Sequence, residues 1–279
     1  MKKARSGILG AILVLFSIVW LSPLYIVLVN SFKSRSEMYA NVLAMPKQLT
    51  WEYYSEAFAK MNFGTSFLNS LILTVVSIFL IVVLSSMAAW MLARTGGKLS
   101  YILFGVFIAT MLIPFQTIMM PLMQVMSWIG KNTIFQMLNT RGGLIYMYIG
   151  FGASMAIFLY HGFVKTIPIS IEEAATIDGG NKWNIFWRIV FPILKPTTVT
   201  VIILDVIWIW NDYLLPSLTL TSRDLRTIPL STAKFFGQYQ NEWNMAMAAL
   251  AMTIIPVVIL YISAQKYIIK GVAAGSVKG

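Results

Sequence analysis

The chain has 279 residues, of which 58% are hydrophobic and 11% are charged, and its mean hydropathy is +0.76. This composition lies outside the range of soluble globular domains and indicates a protein solvated by lipid. The net charge of +11 does not indicate nucleic-acid binding, because the Lys and Arg residues are scattered through short connectors. The sequence contains no cysteine, which excludes disulfides and Cys-based metal sites.

Charge-free stretches recur along the chain, each long enough to cross roughly 30 Å of hydrocarbon as a helix. They predict an all-α integral membrane protein with a single domain over 1–279 and about six spanning helices. Pro114 and Pro121 fall in or beside the third helix and predict a kink there. The expected spans are 7–30, 67–92, 100–123, 143–164, 197–220 and 245–266.

The basic residues predict how these helices are oriented. An even number of spans places both termini on one side, and several Lys and Arg residues near span ends fall on that side, including Lys2, Arg94, Lys165 and Lys270. Positive charge at the ends of spans marks the cytoplasmic side. Both termini are therefore expected in the cytoplasm.

The connector over 165–196 is the longest on the expected cytoplasmic side, and it has the pattern of a folded element. Ser170 and Glu173 have the spacing of a capping box, so a helix of about two turns is expected from Ile171. Gly179 follows, and glycine is the usual residue for the left-handed conformation that ends a helix. So short a helix is not stable alone in water and is expected to pack on a partner.

A second short helix is expected directly after Gly180. Asn181 can cap its first turn, and Pro192 and Pro196 end it before the chain re-enters the membrane. The two helices together predict an elbow that lies across the cytoplasmic mouth of the protein.

The first helix of the elbow has the composition of a contact surface. The small side chains of Ala174 and Ala175 allow another protein's groove to close over it. The acidic residues Glu172, Glu173 and Asp178 could pair with basic residues in that groove.

The segment Glu173-Ala174-Ala175, with Gly179, Ile189 and Pro192 at fixed distances after it, resembles the E-A-A loop of bacterial ABC importer permeases. The one departure is Phe191, where the family usually has Leu. Three further segments resemble the carbohydrate-uptake branch, in particular the maltose-permease G type: Asn69-Ser70-Leu71, Trp210-Asn211-Asp212 and the tail over 271–279.

This resemblance implies six transmembrane helices, a cytoplasmic coupling helix and a set of partners. These partners are a second permease in a heterodimer, two copies of an ABC ATPase and an extracytoplasmic solute-binding protein. In the family the glutamate at the position of Glu173 faces a cleft on the ATPase, and the glycine-rich tail, here with Gly275 and Lys278, can reach the ATPase too. The expected coupling residues are Glu172, Glu173, Ala174, Ala175, Asp178, Gly179, Gly180, Ile189 and Pro192.

The sequence has no phosphate-binding loop of the form G-x-x-x-x-G-K-[ST], since Gly96-Gly97-Lys98 lacks both the upstream glycine and the following Ser or Thr. ATP and Mg²⁺ are therefore expected on the partner ATPase, and no cofactor is expected on this chain. The sequence shows no catalytic set, so we expect a transport subunit rather than an enzyme.

Two carboxylates fall inside an expected span. Asp205 and Asp212 are seven residues apart and would share a helix face with Trp208, and Asn211 lies beside them. A charge within a span is costly in contact with lipid, so this face is expected to line a cavity or a partner helix. Carboxylate, amide and indole groups suit a sugar in a translocation path, but a structural bond to the partner permease is equally open.

The sequence thus predicts a permease of the bacterial cell membrane that takes up a carbohydrate, with ATP hydrolysed by a separate ATPase. One alternative is an ion-coupled secondary transporter in which Asp205 and Asp212 bind protons or cations. A membrane enzyme or an assembly scaffold is a further alternative. Neither accounts for the E-A-A loop.

Overall fold

A computed structural model gives the architecture of residues 2–237 and 240–276, which are the part of the chain described here. Almost all of it is helical, as expected for apolar segments whose backbone groups must be satisfied without water. The α-helices are α1 (Lys2–Asn30), α2 (Arg35–Ala40), α3 (Glu52–Met61), α4 (Phe63–Thr95), α5 (Gly97–Met111), α6 (Phe115–Asn132), α7 (Arg141–Val164), α8 (Ile169–Ile177), α9 (Lys182–Ile185), α10 (Phe191–Ile193), α11 (Lys195–Asn211), α12 (Leu214–Thr219), α13 (Ile228–Thr232) and α14 (Trp243–Ser276).

Shorter elements join these helices. A π-helix, Phe186–Val190, connects α9 to α10, and 3₁₀ turns occupy Arg223–Leu225 and Ala233–Phe235. The strands β1 (Phe236–Gly237) and β2 (Gln240–Asn241) pair in an antiparallel hairpin. The predicted all-α class is therefore confirmed, apart from this hairpin of two-residue strands.

Three helical segments are long and apolar enough to cross a membrane: Ile12–Asn30 within α1, α4 and α7. Two bent pairs each have the length and composition of a further, broken span. These pairs are α5 with α6, and Lys182–Ile193 with α11. The count of six spans stays a prediction, as does the side on which the termini lie.

The expectation that the helix over 100–123 is only kinked at its prolines is wrong. The chain has two helices there, α5 and α6, and they meet at an angle of 108°. Pro114 is the cause, because it lacks the N–H that would continue the helix and has an extended backbone, with ψ of 133°. The sequence indicated a kink at this proline, and the structure has a break.

The expected continuous helix over 197–220 is also wrong. The helix α11 ends at Asn211, and Asp212 has an extended backbone with ψ of 123°. The Asp212 carboxylate accepts a hydrogen bond from the N–H of Leu214 at 3.0 Å, which favours a turn over a further helical residue. The chain then continues in the short helix α12.

The single domain over 1–279 stays a prediction. The described residues group into two compact units, within Met1–Gly64 with Leu230–Leu260 and within Thr65–Pro229 with Tyr261–Gly279. In the first unit, Lys33 is completely buried, and its ammonium group donates to Asn30 Oδ1 and to the carbonyls of Asn41 and Val42. Lys60 and Glu242 form an ion pair at 2.9 Å in the same unit.

In the second unit, α5 and α11 pack against α7. The buried residues of α7 include Leu144, Tyr148, Ile157 and Tyr160. Gly152 allows the closest approach, since a Cβ atom at this position would lie 2.5 Å from Cδ1 of Ile81 on α4. Such close contacts of small residues are typical of helix packing within membranes.

Candidate coupling site

The first helix of the elbow, α8, begins two residues earlier than expected. Pro168 is its N-cap, and its carbonyl accepts from the N–H of Ile171 at 3.3 Å. Ser170 is thus already inside the first turn and makes no cap hydrogen bond. The predicted capping box of Ser170 and Glu173 is therefore wrong, because the proline before the helix fixes its start.

The end of α8 is formed as the sequence predicted. Gly179 has a left-handed backbone, with φ of +85°, and its N–H donates to Thr176 at 3.0 Å. The N–H of Gly180 donates to the carbonyl of Ala175 at 2.9 Å, which completes a Schellman motif. A Cβ atom on Gly180 would lie 2.7 Å from that carbonyl oxygen, so both glycines are required by the turn.

The second part of the elbow begins with the predicted cap. The side chain of Asn181 accepts from the N–H of Asn184 at 2.8 Å. The chain then passes through α9, the π-helix and α10 before it turns by 74° into α11. Ile189 is partly exposed in the π-helix, and Pro192 is exposed in α10.

The expectation that Glu172 lies on an exposed contact surface of α8 is wrong. Its side chain is buried and turned inward to the end of α4. One carboxylate oxygen accepts from Trp90 Nε1 at 2.9 Å, and the other accepts from Arg94 Nε at 2.8 Å. Arg94 also donates to the carbonyl of Ile167, just before α8. An unpaired buried carboxylate is costly, so the arginine and tryptophan determine its direction.

Apart from Glu172, α8 exposes both apolar and acidic side chains. Ile169 and Ile177 expose 52% and 86% of their surface, which is unusual for isoleucine in a water-facing helix. Glu173, Ala174, Asp178 and Gly179 are exposed beside them, and Ala175 is partly exposed. Trp183 on α9, the next helix of the elbow, exposes 60% of its surface. Of the expected coupling residues on α8 and its C-terminal turn, all except Glu172 are therefore at least partly exposed.

The predicted translocation residues separate into two environments. Asp205 is buried within α11, and its Oδ2 has no hydrogen-bond partner in the described part of the chain. Asp212 lies beyond the helix end and accepts from the Tyr148 hydroxyl at 3.0 Å. Trp208 is partly exposed and packs edge-on against Tyr148, with ring centroids 5.5 Å apart. Asn211 is exposed, and its amide donates to the Ile207 carbonyl of its own helix.

A cluster of polar side chains surrounds Asn69, near the start of α4. In the sequence, only the resemblance of Asn69-Ser70-Leu71 to the carbohydrate-uptake branch pointed to this residue. Asn69 is completely buried, and its amide donates to the carbonyls of Asp224 and Arg226 at 2.8 and 3.0 Å. Its Oδ1 accepts from Arg141 Nε and Nη2 at 2.9 and 2.7 Å. Sequence reasoning missed the roles of Trp90, Arg94 and Arg141, although Trp90 and Arg94 have the i, i+4 spacing of one helix face.

Two expectations concern the tail and metal ions. Gly275 lies in the last turn of α14, and Lys278 lies outside the described residues. Among the residues that the structure describes, no group of three or more His, Asp or Glu side chains could hold a metal ion.

Residues 81–274 match the family described as binding-protein-dependent transport system inner membrane component. The chain belongs to this family. It is 47% identical over 265 residues to the probable starch degradation products transport system permease protein AmyC of Thermoanaerobacterium thermosulfurigenes, with 95% of this chain and 94% of that protein covered. It is 36% identical over 283 residues to the melibiose/raffinose/stachyose import permease protein MelC of Bacillus subtilis, with both chains fully covered.

The fold of this family member is also that of a solved transporter. The structure superposes on one chain of a bacterial ABC transporter involved in the import of the acidic polysaccharide alginate. The TM-score is 0.80 at 24% sequence identity, and the match covers 96% of this chain and 98% of that chain. The predictions of an ABC importer permease, embedded in the membrane and not an enzyme, are confirmed. The secondary-transporter and membrane-enzyme alternatives are thereby set aside.

Proposed function

We propose that this permease takes up a carbohydrate, in the class of starch-derived or raffinose-type oligosaccharides, and that α8 is the helix through which an ATPase drives it. The observation that carries the proposal is the exposed apolar and acidic surface of α8, fixed at its end by Gly179 and Gly180. Two relatives support this solute class by their names: AmyC is a permease for starch degradation products, and MelC is a permease for melibiose, raffinose and stachyose.

The assembly proposed contains this chain, a second permease, two copies of an ABC ATPase that bind ATP and Mg²⁺, and a solute-binding protein. An apolar surface that this chain does not cover supports a second membrane subunit. Only 6% of the spanning window in α1 is buried within the chain. A helix so exposed is covered by lipid or by another subunit. The ATPases lie on the same side of the membrane as α8. The distribution of Lys and Arg residues predicts that this side is the cytoplasm.

In the proposed mechanism, α8 occupies a groove on the ATPase. Ile169, Ile177 and Trp183 supply apolar area, and Glu173 pairs with a basic residue of the groove. Closure of the two ATPases on ATP then moves α8 and changes the bundle from inward-open to outward-open. The ATPase can drive this change only if it binds α8 differently in the two states. Gly275 and Lys278 are proposed as a further contact with the ATPase.

The path of the solute is proposed to pass the surface around Trp208 and Asp205. Trp208 and Tyr148 offer ring faces for the apolar side of a sugar. Asp205 supplies a carboxylate oxygen that is buried here and has no hydrogen-bond partner among the described residues. Asp212 holds the Tyr148 hydroxyl in place, and Asn211 borders the same end of α11.

The test is reconstitution of the complete complex in liposomes, with its binding protein added on the side opposite the ATPases. Maltotriose and raffinose are the first solutes, and an amino acid is the control. We expect ATP-dependent uptake and ATPase stimulation by an oligosaccharide-loaded binding protein. Uptake that is driven by a proton or sodium gradient without ATP would contradict the proposal.

A further inference from the structure

The helix α4 is fixed at both ends by buried polar side chains. At the end next to the elbow, the Glu172 carboxylate binds Trp90 and Arg94, and Arg94 also holds the Ile167 carbonyl. These three bonds join the last turns of α4 to the start of α8. The side chains of Arg94 and Glu172 are largely shielded from water, so water competes little with this ion pair.

At its other end, α4 is joined to the segment 223–228. Both amide hydrogens of Asn69 donate to carbonyls of this segment, and Ser70 Oγ accepts from the N–H of Ile228 at 2.9 Å. Arg141 completes the arrangement with two donors to Asn69 Oδ1. The hydrogen-bonding capacity of the Asn69 amide is therefore fully used.

Between these two ends, α4 is an uninterrupted helix. The stretch from Asn69 to Arg94 contains neither glycine nor proline, the residues that most often break or kink a helix. At 1.5 Å per residue the two ends are about 38 Å apart. In its middle, Ile81 is completely buried and packs against Gly152 of α7.

We propose that α4 is a rigid strut that links the ATPase-docking helix α8 to the segment 223–228 on the opposite side of the membrane. This inference rests on the proposed function. Asn69, Arg94 and Glu172 are its positioning residues, and they act through α8 and the segment rather than on the solute. Arg223 and Asp224 are exposed on the segment and are the groups that a binding protein would contact. Docking of the binding protein there is transmitted through α4 to α8, and the state of the ATPase is transmitted back.

A double-mutant cycle on the reconstituted complex tests the strut. The variants are Glu172→Gln, which removes the charge at one end, Asn69→Ala at the other end, and the combination of both. The two readouts are the stimulation of ATP hydrolysis by the loaded binding protein and the ATP hydrolysed per solute imported. The matched controls are Lys98→Gln and Asn132→Ala, since Lys98 is an exposed charge just after α4 and Asn132 is an exposed asparagine at the end of α6.

We expect each single variant to reduce the stimulation by about two- to thirtyfold, the range that corresponds to coupling energies of 0.5–2 kcal/mol. The double variant should lose no more stimulation than the more affected single variant. If the contact at either end is already lost, α4 no longer transmits a change to its other end, so a second loss has no further effect. Residues this far apart otherwise act independently, so their losses would multiply. The controls should behave as the unmodified protein.

Multiplying losses, or single variants with unchanged stimulation and unchanged ATP per solute, would overturn the strut proposal. If a variant does not assemble with the ATPase, Arg94→Lys and Arg141→Lys replace it, since they keep the charge but lose the forked geometry, and they are judged by the same criterion. If the unmodified complex shows no ATP-dependent uptake, the proposed function itself fails, which is a separate result.

Discussion

Tyr148 and Asp212 join α7 to the end of α11 through one hydrogen bond, in which the Tyr148 hydroxyl donates to Asp212 Oδ2 at 3.0 Å. The other carboxylate oxygen of Asp212 holds the turn that follows α11. This one side chain therefore both ends a helix and ties it to its neighbour.

Replacing Tyr148 by phenylalanine should destabilise the purified permease by about 1–3 kcal/mol, because the partly buried Asp212 carboxylate loses its donor. Thermal unfolding in detergent measures the effect. Tyr146→Phe is the matched control, since Tyr146 is 54% exposed on the same helix. Equal unfolding temperatures for the two variants would show that the bond does not contribute.

Reversing the charge of Glu173 with lysine should leave the permease folded but prevent the ATPase from binding. The residue is exposed, and surface substitutions usually change the free energy of unfolding by less than about 0.5 kcal/mol. Co-purification with the ATPase and thermal unfolding separate the two effects. Glu56→Lys, at another exposed glutamate, should retain the ATPase. Normal ATPase binding by Glu173→Lys would exclude Glu173 from the docking surface.

Substitution of Gly179 by alanine should impair uptake far more than it impairs folding of the rest of the chain. A left-handed backbone costs a residue with a Cβ atom about 1–2 kcal/mol, so the end of α8 would open or shift. ATP-dependent uptake in liposomes is the measurement. Gly150→Ala serves as the control, because nothing lies within 4 Å of a Cβ atom at that position. Uptake at the unmodified rate would mean that the Schellman turn is dispensable.

Alanine at position 152 should destabilise the contact between α4 and α7 by about 1–3 kcal/mol, since it overpacks a closed interface. The added Cβ atom would meet Cδ1 of Ile81, a side chain with no exposed surface. The combination Gly152→Ala with Ile81→Val removes that methyl group and should recover part of the loss in thermal unfolding. No recovery would place the strain elsewhere.

The two ends of α8 differ in how far the sequence determines them. Its end follows from a local rule, because glycine is the residue that adopts φ of +85° without cost, and Gly179 was predicted on that basis. Its start does not follow from such a rule. Ser170 has the residue type and spacing of an N-cap, but the helix begins before it and Pro168 is the N-cap. Local patterns compete, and the sequence alone does not show which one prevails.

Glu172 and Glu173 are adjacent and chemically identical, yet one is buried and the other is exposed. Their directions depend on Arg94, which lies 78 residues earlier in the chain. No local periodicity relates these positions, so the sequence assigned both glutamates to the partner surface. Charge-free length likewise predicted spans without showing where they break, because apolar composition continues through Asp212, and through Pro114, where the sequence indicated only a kink.

The π-helix Phe186–Val190 gives its segment a wider turn than an α-helix has, with one more residue in it. Deleting a single residue from this turn would restore ordinary helical winding and rotate everything that follows by about 100°, the angle per residue of an α-helix. The Asp205 carboxylate on α11 would then leave its present buried position. The extra residue thus sets the rotational phase of α11, so the side chains that face the interior are determined in the elbow.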